Sequence, residues 1–288
     1  PQKVYKSDPL QPSLFEEFVD NESGEIKYSN LSDLNSTPHN YQLIDNEEKM
    51  AKFLVKISEQ NFFCFDTETT GTDVFSADLV GMSFAWNEGE SFYIPVPQNR
   101  EEAQILVDRF KPYFENESIL KIGQNLKFDL LMLKNYGVEL KGKLFDTMIA
   151  HYLLQPELRH NMDYLAEIYL KYKTITYEEL CGPKEKGQTP IRNVDINKLC
   201  DYAAEDADVT LKLKNILEKE IESNHLDNLF YNIEMPLMPV LAQMEFDGVR
   251  IDTESLNQFS VVMSEKLQLI EKEIFSLAGY EFNISSPK

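Results

Sequence analysis

An apolar strand that ends in two acidic residues constrains the fold of this chain more than any other feature. Residues 61–65 form a short, largely apolar run that is typical of a buried strand. Asp66 and Glu68 follow two residues apart, so their side chains leave the same face of the strand. Two carboxylates this close repel each other, which raises a pKa unless a cation lies between them. The pair suits a hard ion such as Mg²⁺ or Mn²⁺, although surface acids at the start of a Thr-rich loop are an alternative for this motif alone.

Two further acidic motifs occur at chemically informative positions. Asp129 lies where a predicted strand turns into a helix, and an N-cap role is the alternative there. Tyr202 and Asp206 are four residues apart in a predicted helix and therefore share one face. Glu205 and Asp208 flank Asp206, so a solvated acidic helix face is the alternative for this cluster.

The apolar periodicity from residue 41 onward predicts an α/β fold. Three antiparallel strands followed by α–β–α units indicate a mixed sheet with helices on its faces, and the short connection at 87–90 indicates a hairpin. Residues 175–193 are predicted to be a loop. The predicted strands are 41–44, 61–65, 79–86, 91–96 and 119–124. The predicted helices are 46–60, 101–114, 129–136, 146–154, 163–170 and 197–223, with a second helical unit from 228 that is broken at 247–248 and continues at 253–278.

The length of 288 residues indicates one full domain with an additional unit. Residues 1–40 are polar and rich in Ser, Asn, Asp and Pro, which predicts a linker or loosely ordered arm. The sequence begins at Pro1 without a Met, so we expect it to be a fragment.

Composition limits the partners and the compartment. The 28 Lys and Arg residues face 49 Asp and Glu residues, and the net charge of −21 argues against nucleic acid as a partner. No apolar run approaches the roughly 18 residues that a membrane span requires, so we expect no membrane contact. The three cysteines lack C-x-x-C spacing, which favours a reducing cytoplasm.

The three acidic motifs taken together resemble a known family. Asp-x-Glu, Asn-x-x-Phe-Asp and Tyr-x-x-x-Asp occur in the order found in the DnaQ-like 3′–5′ exonucleases, in the subgroup that uses Tyr in its last motif. Residues 123–129, 173–178 and 202–210 closely resemble the proofreading domain of the bacterial DNA polymerase I family. Residues 233–241 and 247–252 resemble the start of the polymerase domain of that family. The similarity covers about residues 41–288.

The resemblance implies an RNase H-like exonuclease domain at 41–225 and a truncated helical start of the polymerase domain, leading into the thumb, at 226–288. It implies removal of 5′-mononucleotides from single-stranded or frayed DNA 3′ ends, without polymerase activity in this sequence. The implied partners are DNA and the remaining polymerase domain. The implied protein is monomeric, bacterial, cytoplasmic and nucleoid-associated.

The resemblance also assigns roles to the acidic residues. Asp66, Glu68, Asp129 and Asp206 would hold two divalent metal ions, Mg²⁺ or Mn²⁺. Asp66 would bridge the two ions, Glu68 and Asp206 would complete the first site, and Asp129 would hold the second ion. Tyr202 would orient the attacking water, because a phenol with a pKa near 10 is a poor general base; a buried structural tyrosine is the alternative.

The family assigns substrate contacts less strictly, and each of these residues could instead be ordinary surface or core. The expected contacts to the DNA 3′ end are Gln124, Asn125, Phe128, Arg159 and Tyr177. Phe128 stands where Tyr is common, so stacking is kept and the hydroxyl is lost. Thr72 stands where a wedging Leu occurs in a relative, and Val74 or Phe75 could replace that wedge.

Two alternatives use the same residues. One is a ribonuclease D-like enzyme that trims RNA 3′ ends, against which the sequence after Asn228 argues. The other is a vestigial scaffold domain, against which the four intact carboxylates argue. The acidic charge implies that DNA is bound locally, and the lysine-rich stretch 121–143 beside the second motif is the expected basic surface.

Overall fold

The computed structural model of the chain describes residues 17–19, 26–28 and 30–286. By compactness the chain divides into two units, residues 1–243 and 244–288. Most of the predicted arm at 1–40 lies outside the described residues. Its described parts include β1 (Glu17–Val19) and β2 (Ile26–Tyr28), which form an antiparallel pair.

A six-stranded mixed sheet forms the centre of the first unit. The mixed sheet is confirmed, but the strand Leu144–Asp146 is not among the five predicted strands. Its strands are β3 (Asn40–Leu43), β4 (Phe62–Thr69), β5 (Leu79–Asn87), β6 (Glu90–Pro95), β7 (Leu120–Gly123) and β8 (Leu144–Asp146), in the order β3-β6-β5-β4-β7-β8. The antiparallel arrangement of β4, β5 and β6 is confirmed. The remaining pairs are parallel: β3 with β6, β7 with β4, and β8 with β7.

Helices account for most of the remaining described residues. They are α1 (Glu47–Ser58), α2 (Arg100–Asp108), α3 (Lys111–Phe114), α4 (Leu126–Lys134), α5 (Thr147–Leu154), α6 (Met162–Leu165), α7 (Tyr177–Cys181), α8 (Ile196–Ser223), α9 (Asp227–Leu229), α10 (Met235–Asp247) and α11 (Thr253–Ala278). Short π-helical turns at Ala166–Leu170 and Phe230–Glu234 and 3₁₀ turns at Lys184–Lys186 and Ile191–Asn193 complete the list. None of the helices within the described residues is long and apolar enough to cross a membrane.

Three local predictions are wrong, each for an identifiable reason. The predicted helix 101–114 is split into α2 and α3, because Pro112 has no N–H with which to continue the first helix. The predicted loop 175–193 contains α7, which begins with a capping box between Thr176 and Glu179. The predicted helix 146–154 begins one residue later, because Asp146 ends β8 and caps the helix.

Strand periodicity separates an aromatic core from the acidic residues. Phe63 and Phe65 alternate with Cys64 and Asp66 along β4, so the two phenylalanines share the face opposite the acid. Both pack edge-on against Phe114, with ring centroids 5.7 and 5.0 Å apart. Burying these large side chains fixes the register of β4, because a shift of one residue would exchange the two faces.

The first unit extends beyond both ends of the predicted exonuclease domain, residues 41–225. Ser32 forms an isolated parallel bridge with Tyr172, and its backbone N–H donates to the carbonyl of Lys171 at 3.0 Å. At the other end, Phe230 and Met238 are buried in the main core. The compact unit thus extends past residue 225, while the functional boundary between the proposed domains stays a prediction.

A buried carboxylate joins the start of two helices. Asp146 accepts hydrogen bonds from the backbone N–H groups of Asn125 (3.2 Å) and Leu126 (2.8 Å) at the start of α4. It also accepts from the N–H groups of Met148 (2.8 Å) and Ile149 (3.3 Å) in α5. These bonds hold Asn125 in the left-handed conformation, with φ of 60°, and fix where α4 begins.

We expect Asp146→Ala to lower the free energy of unfolding by about 3 kcal/mol, because it leaves buried helix N–H groups without an acceptor. Urea unfolding followed by circular dichroism measures the change. The matched control is Asp195→Ala, which removes an exposed cap of α8 that accepts from Asn197 and Lys198, and which we expect to cost about 1 kcal/mol. Equal losses in the two variants would contradict the joint role of Asp146.

Candidate active site

Three carboxylates from two elements face one another beside the sheet. Asp66 and Glu68 leave the same face of β4, and α8 brings Asp206 to them. One carboxylate oxygen from each of the three lies within 4.8 Å of those from the other two. Glu68 and Asp206 are buried and Asp66 is partly exposed. The fold brings these three residues together, and their oxygens form a set that could hold a cation.

The charges in this cluster are poorly solvated and unbalanced. Burial raises the pKa of Asp66 to about 7. Burial and then the charge of Asp66 raise the pKa of Glu68 well above its usual value. Burial, followed by the charges of Asp66 and Glu68, does the same for the pKa of Asp206. All three shifts have the sign expected for like charges held together without a cation.

The cluster also contains buried oxygens that lack partners. Within the described part of the chain, Glu68 Oε1 and Asp206 Oδ1 are buried and accept no hydrogen bond. Buried polar atoms are rarely left in this state, and each such atom calls for an explanation. A bound divalent cation would supply it, because carboxylate oxygens are ligands of hard divalent cations.

The neighbouring acids on α8 behave differently. Glu205 accepts hydrogen bonds from the hydroxyl of Tyr172 and the N–H of Ile175, both at 2.6 Å. Asp208 is paired with the ammonium of Lys212 at 2.8 Å. Glu205 and Asp208 are completely buried, so a solvated acidic helix face is the wrong interpretation. These two acids hold the helix in place, whereas Asp206 Oδ1 accepts no hydrogen bond from the residues that the structure describes.

Asp208 also joins α8 to the edge of the sheet. Its carboxylate accepts from the hydroxyl of Tyr41 in β3 at 2.8 Å and from the backbone N–H of Gly89 at 2.7 Å. Because Asp208 follows Asp206 by two residues, these contacts fix the rotation and height of α8 beside β4. They therefore help to determine where Asp206 lies.

Asp129 approaches the site from α4. Its Oδ1 accepts from the hydroxyl of Thr67 at 2.5 Å and from the backbone N–H of Thr67 at 3.1 Å. Burial and then the charge of Asp66 raise its pKa well above the usual value. Asn125 takes the N-cap position of α4, so the N-cap interpretation of Asp129 is wrong. Asp129 is not among the three clustered carboxylates.

Tyr202 lies one helical turn before Asp206 and is half-buried. The charge of Asp206, and then burial, raise the pKa of its hydroxyl above the usual value. The phenol therefore stays protonated at neutral pH. It can donate a hydrogen bond near the acidic cluster, and it cannot serve there as a base.

Three of the expected substrate contacts lie at the start of α4. The side-chain amide of Gln124 donates to the carbonyl of His160 at 2.7 Å and accepts from the hydroxyl of Thr147. Asn125 is exposed, and Phe128 is half-buried against the main core. These bonds orient Gln124 within the protein, and the substrate roles of all three residues stay predictions.

The two other expected contacts lie on different segments. Arg159 is exposed, with its guanidinium carbon 5.0 Å from the ring centroid of Tyr164. Tyr177, at the start of α7, is 42 % exposed. Burial, a hydrogen bond with Cys181 and the charge of Glu68 raise the pKa of Tyr177 to about 12. Tyr177 thus lies within electrostatic range of the acidic cluster while presenting an aromatic surface to solvent.

Val74 and Phe75, the two possible replacements for the wedging Leu, differ in exposure in the loop after β4. Val74 is buried, and its carbonyl accepts from the side chain of Asn135 at 2.6 Å. Phe75 is 59 % exposed. Of the two, Phe75 is the residue whose side chain is exposed.

The lysine-rich stretch is less basic at the surface than the sequence indicates. Lys121 is completely buried, and its ammonium donates to the carbonyls of Asn116 and Lys141. Burial lowers its pKa to about 8. Lys141 is paired with Glu139 at 3.3 Å. Lys121 therefore cannot contribute to a DNA-binding surface.

Sequence reasoning missed two acids that affect the site. Asp146 fixes the start of α4, and the only sequence signal for it is an Asp directly before a helical segment. Asp163, in the first turn of α6, carries a charge that raises the pKa of both Tyr202 and Asp206. Asp163 accepts from the hydroxyl of Thr174 at 2.8 Å, so the segment before α7 is fixed beside the cluster.

Comparison with known proteins gives a consistent result. The family model described as 3′–5′ exonuclease matches residues 41–222. The DNA polymerase I of Pseudomonas aeruginosa is 35 % identical over 308 aligned positions, covering 99 % of this chain and 34 % of that protein. The DNA polymerase I of Borreliella burgdorferi is 33 % identical, covering 99 % of this chain and 32 % of that protein. The chain thus spans about a third of the length of these relatives.

Solved structures share the fold. The polymerase domain of Pol1 from M. smegmatis, in complex with DNA primer-template and dNTP, matches with a TM-score of 0.68 and 20 % identity over 85 % of this chain and 39 % of that chain. NrnC of Brucella melitensis with bound Mg²⁺ matches with a TM-score of 0.57 and 19 % identity over 74 % of this chain and 95 % of that chain.

The raised carboxyl pKa values predict that stability falls as pH rises in buffer containing a chelator. An unfolded Asp loses its proton near pH 3.9, whereas folded Asp66 keeps its proton to about pH 7. The folded state therefore binds more protons than the unfolded state between these values, and the free energy of unfolding decreases across this window.

Urea unfolding at a series of pH values checks this prediction. We expect Asp66→Asn to become more stable relative to wild type as pH rises from about 4 to about 7. Asp33→Asn is the control, because that exposed carboxyl has its pKa lowered by hydrogen bonds from Ser36. Parallel curves for wild type and Asp66→Asn would contradict the prediction.

Proposed function

The chain belongs to the 3′–5′ exonuclease family of the family A DNA polymerases, and from this membership we propose that it removes 5′-mononucleotides from single-stranded or frayed 3′ ends of DNA by metal-dependent hydrolysis. The observation that carries the proposal is the cluster of Asp66, Glu68 and Asp206, whose oxygens lie within 4.8 Å of one another. A frayed or single-stranded end is the substrate that a proofreading exonuclease requires.

The residues present fit divalent cations. Glu68 Oε1 and Asp206 Oδ1 lack hydrogen-bond partners within the described residues, and the donor set contains only carboxylate oxygens, which suit Mg²⁺ and Mn²⁺. When bound, two such ions would activate water and stabilise the charge that develops at phosphorus and on the leaving oxygen. Relief of the repulsion between the carboxylates supports the same assignment.

Each carboxylate has a distinct proposed role. Glu68 and Asp206 would hold the first ion together with Asp66, the most exposed of the three. Asp129 would contribute to the second ion together with Asp66. Its hydrogen bonds from Thr67 support this role, because they fix the orientation of the carboxylate through Oδ1.

Tyr202 would orient the attacking water. Its hydroxyl keeps its proton because Asp206 lies one helical turn away and raises its pKa. A protonated phenol can hold a water molecule in position by donating to it, without removing a proton from it. Deprotonation of that water would depend on the carboxylate-bound cations instead.

Aromatic surfaces beside the cluster support a single-stranded substrate. Tyr177 is exposed, and stacking of a base on an aromatic side chain contributes about 1–3 kcal/mol without sequence preference. Arg159, exposed on another segment, would contact a phosphate. The approach to Asp129 would be lined by Gln124, Asn125 and Phe128.

The net charge of −21 is unfavourable for extensive contacts with DNA, so we propose that the remaining part of a longer polymerase supplies most of the affinity. The extent of the matched relatives supports this, because the chain covers about a third of their length. A monomeric state and a cytoplasmic, nucleoid-associated location stay predictions from the sequence. The affinity of the chain alone for single-stranded DNA should fall steeply between low and moderate salt.

We expect the chain to release 5′-mononucleotides stepwise from 5′-labelled single-stranded DNA in the presence of Mg²⁺ or Mn²⁺. Asp206→Asn should lower the rate at least about 100-fold, since even the outer partners of metal ligands contribute 10- to 100-fold. Gel electrophoresis of the labelled products measures the rate. Glu222→Gln, which alters an exposed acid on the same helix, is the control and should leave the rate unchanged.

The same assay distinguishes the alternatives. Preference for an RNA of matched sequence would indicate an RNA-trimming exonuclease instead. Absence of cleavage of both substrates by the pure wild-type chain would indicate a vestigial scaffold. Cleavage that persists in Asp206→Asn would show that the proposed site is not the active one.

We expect Tyr202→Phe to lower kcat by about 10- to 100-fold, because a misplaced water loses the orientation needed for attack. Metal affinity should be unchanged, since the phenol is not a proposed ligand. Single-turnover kinetics and Mn²⁺ titration measure the two quantities. Tyr152→Phe, at an exposed tyrosine of α5, is the matched control. An unchanged kcat would remove the proposed role of Tyr202.

A further inference from the structure

Two buried hydroxyl groups behind the acidic cluster lack hydrogen-bond partners. Ser83 in β5 and Tyr93 in β6 are completely inaccessible to solvent. Within the described residues, neither Ser83 Oγ nor the hydroxyl of Tyr93 has a partner. Leaving a buried hydroxyl unsatisfied costs about 1–3 kcal/mol. Ala at position 83 and Phe at position 93 would keep almost the same shape without that cost.

The strand register places both residues on the face of the sheet that carries the acids. Asp66 lies directly opposite Ser83 in the antiparallel pairing of β4 with β5. Ser83 in turn lies directly opposite Tyr93 in the pairing of β5 with β6. Directly opposed residues point to the same face. The three side chains therefore form one row across the sheet, with Asp66 at one end and Tyr93 at the other.

Gly81 leaves room for the Tyr93 ring beside Glu68. Glu68 lies directly opposite Gly81, so the space beside the Glu68 side chain is the space that a side chain at position 81 would fill. A Cβ placed on Gly81 would lie 2.3 Å from the hydroxyl oxygen of Tyr93. The phenol thus occupies the missing side-chain volume next to Glu68. Any larger residue at position 81 would displace it.

Helix α8 seals this row from solvent. Tyr93 belongs to a buried cluster with Cys200 and Ala203, which lie on α8 in the two turns before Asp206. Burial, followed by the charge of Glu68, raises the pKa of Tyr93 above its usual value. The hydroxyl therefore remains a donor close to a carboxylate with an unpaired oxygen, Glu68 Oε1.

We infer that Tyr93 and Ser83 are positioning residues of the acidic site, donating hydrogen bonds to Glu68 and Asp66 respectively, each through one water. This inference rests on the proposed metal-dependent function, because the bonds would orient the two carboxylates as ligands. Ligating carboxylates are generally held by hydrogen bonds in this way, and loss of such a partner weakens metal binding. These hydrogen bonds would supply the missing partners of the two hydroxyl groups and of Glu68 Oε1.

A purely structural role predicts a different result. If the hydroxyl of Tyr93 were idle, its removal would delete an unsatisfied buried group, and Tyr93→Phe would be as stable as wild type or more stable. Metal affinity would not change. The two roles are therefore separated by measuring metal affinity and stability on the same variant.

The test is the Mn²⁺ dissociation constant of the whole chain, measured by isothermal titration calorimetry in the absence of DNA. We expect Tyr93→Phe to weaken Mn²⁺ binding by about 10-fold and Ser83→Ala to weaken it in the same direction. Thermal unfolding in chelator, recorded beside it, should show that both variants fold cooperatively. Ser83→Ala provides the result if Tyr93→Phe does not fold.

Tyr113→Phe is the matched control. The hydroxyl of Tyr113 donates to the carbonyl of Leu54 at 3.3 Å, and neither residue belongs to an acidic motif, so its loss should lower stability and leave Mn²⁺ affinity unchanged. Wild-type Mn²⁺ affinity in both Tyr93→Phe and Ser83→Ala would overturn the positioning role while leaving the proposed function intact. Failure of wild type itself to bind Mn²⁺ would overturn both.

Discussion

Burial of like charges at the end of β4 is the constraint on which the rest of the structure depends. Asp66 and Glu68 share a strand face, and Asp206 lies within 4.8 Å of them. Taking carboxylates out of water is costly, and placing them side by side adds repulsion. The aromatic core on the other face of β4, with Phe63 and Phe65 against Phe114, holds the strand in the register that maintains this unfavourable arrangement.

The buried acids fall into two groups according to their hydrogen-bond partners. Asp146, Glu205 and Asp208 receive hydrogen bonds or an ammonium partner, and each joins elements that would otherwise be free to move. Within the described residues, Glu68 and Asp206 each retain a buried oxygen without a partner. Among the three acids Glu205, Asp206 and Asp208 of α8, this difference distinguishes Asp206 from the other two, although all three are buried. It also explains how α8 can be rigid while one of its acids remains available to a ligand.

The main features of the fold and site could be predicted from the sequence where local periodicity decides them. The spacing of Asp66 and Glu68 and that of Tyr202 and Asp206 are strand and helix repeats, and the structure confirms that each pair shares a face. Other features depend on contacts between distant residues. The burial of Lys121 depends on carbonyls of Asn116 and Lys141, which no local pattern reveals. The capping box that begins α7 is a local pattern, so this helix is predictable from the sequence even though the Gly- and Pro-containing stretch around it indicates a loop.

The sequence by itself determined the mixed sheet with its flanking helices and the family, and it predicted the acidic residues of the site, because these follow from residue type and short-range spacing. The acidic composition alone argues against nucleic acid, whereas the proposed function depends on a few placed carboxylates and local contacts more than on net charge. Only the tertiary structure decided which acids are satisfied and which are not. It also placed the hydroxyls of Ser83 and Tyr93 behind Asp66 and Glu68, since strand register and the missing side chain of Gly81 act across the sheet.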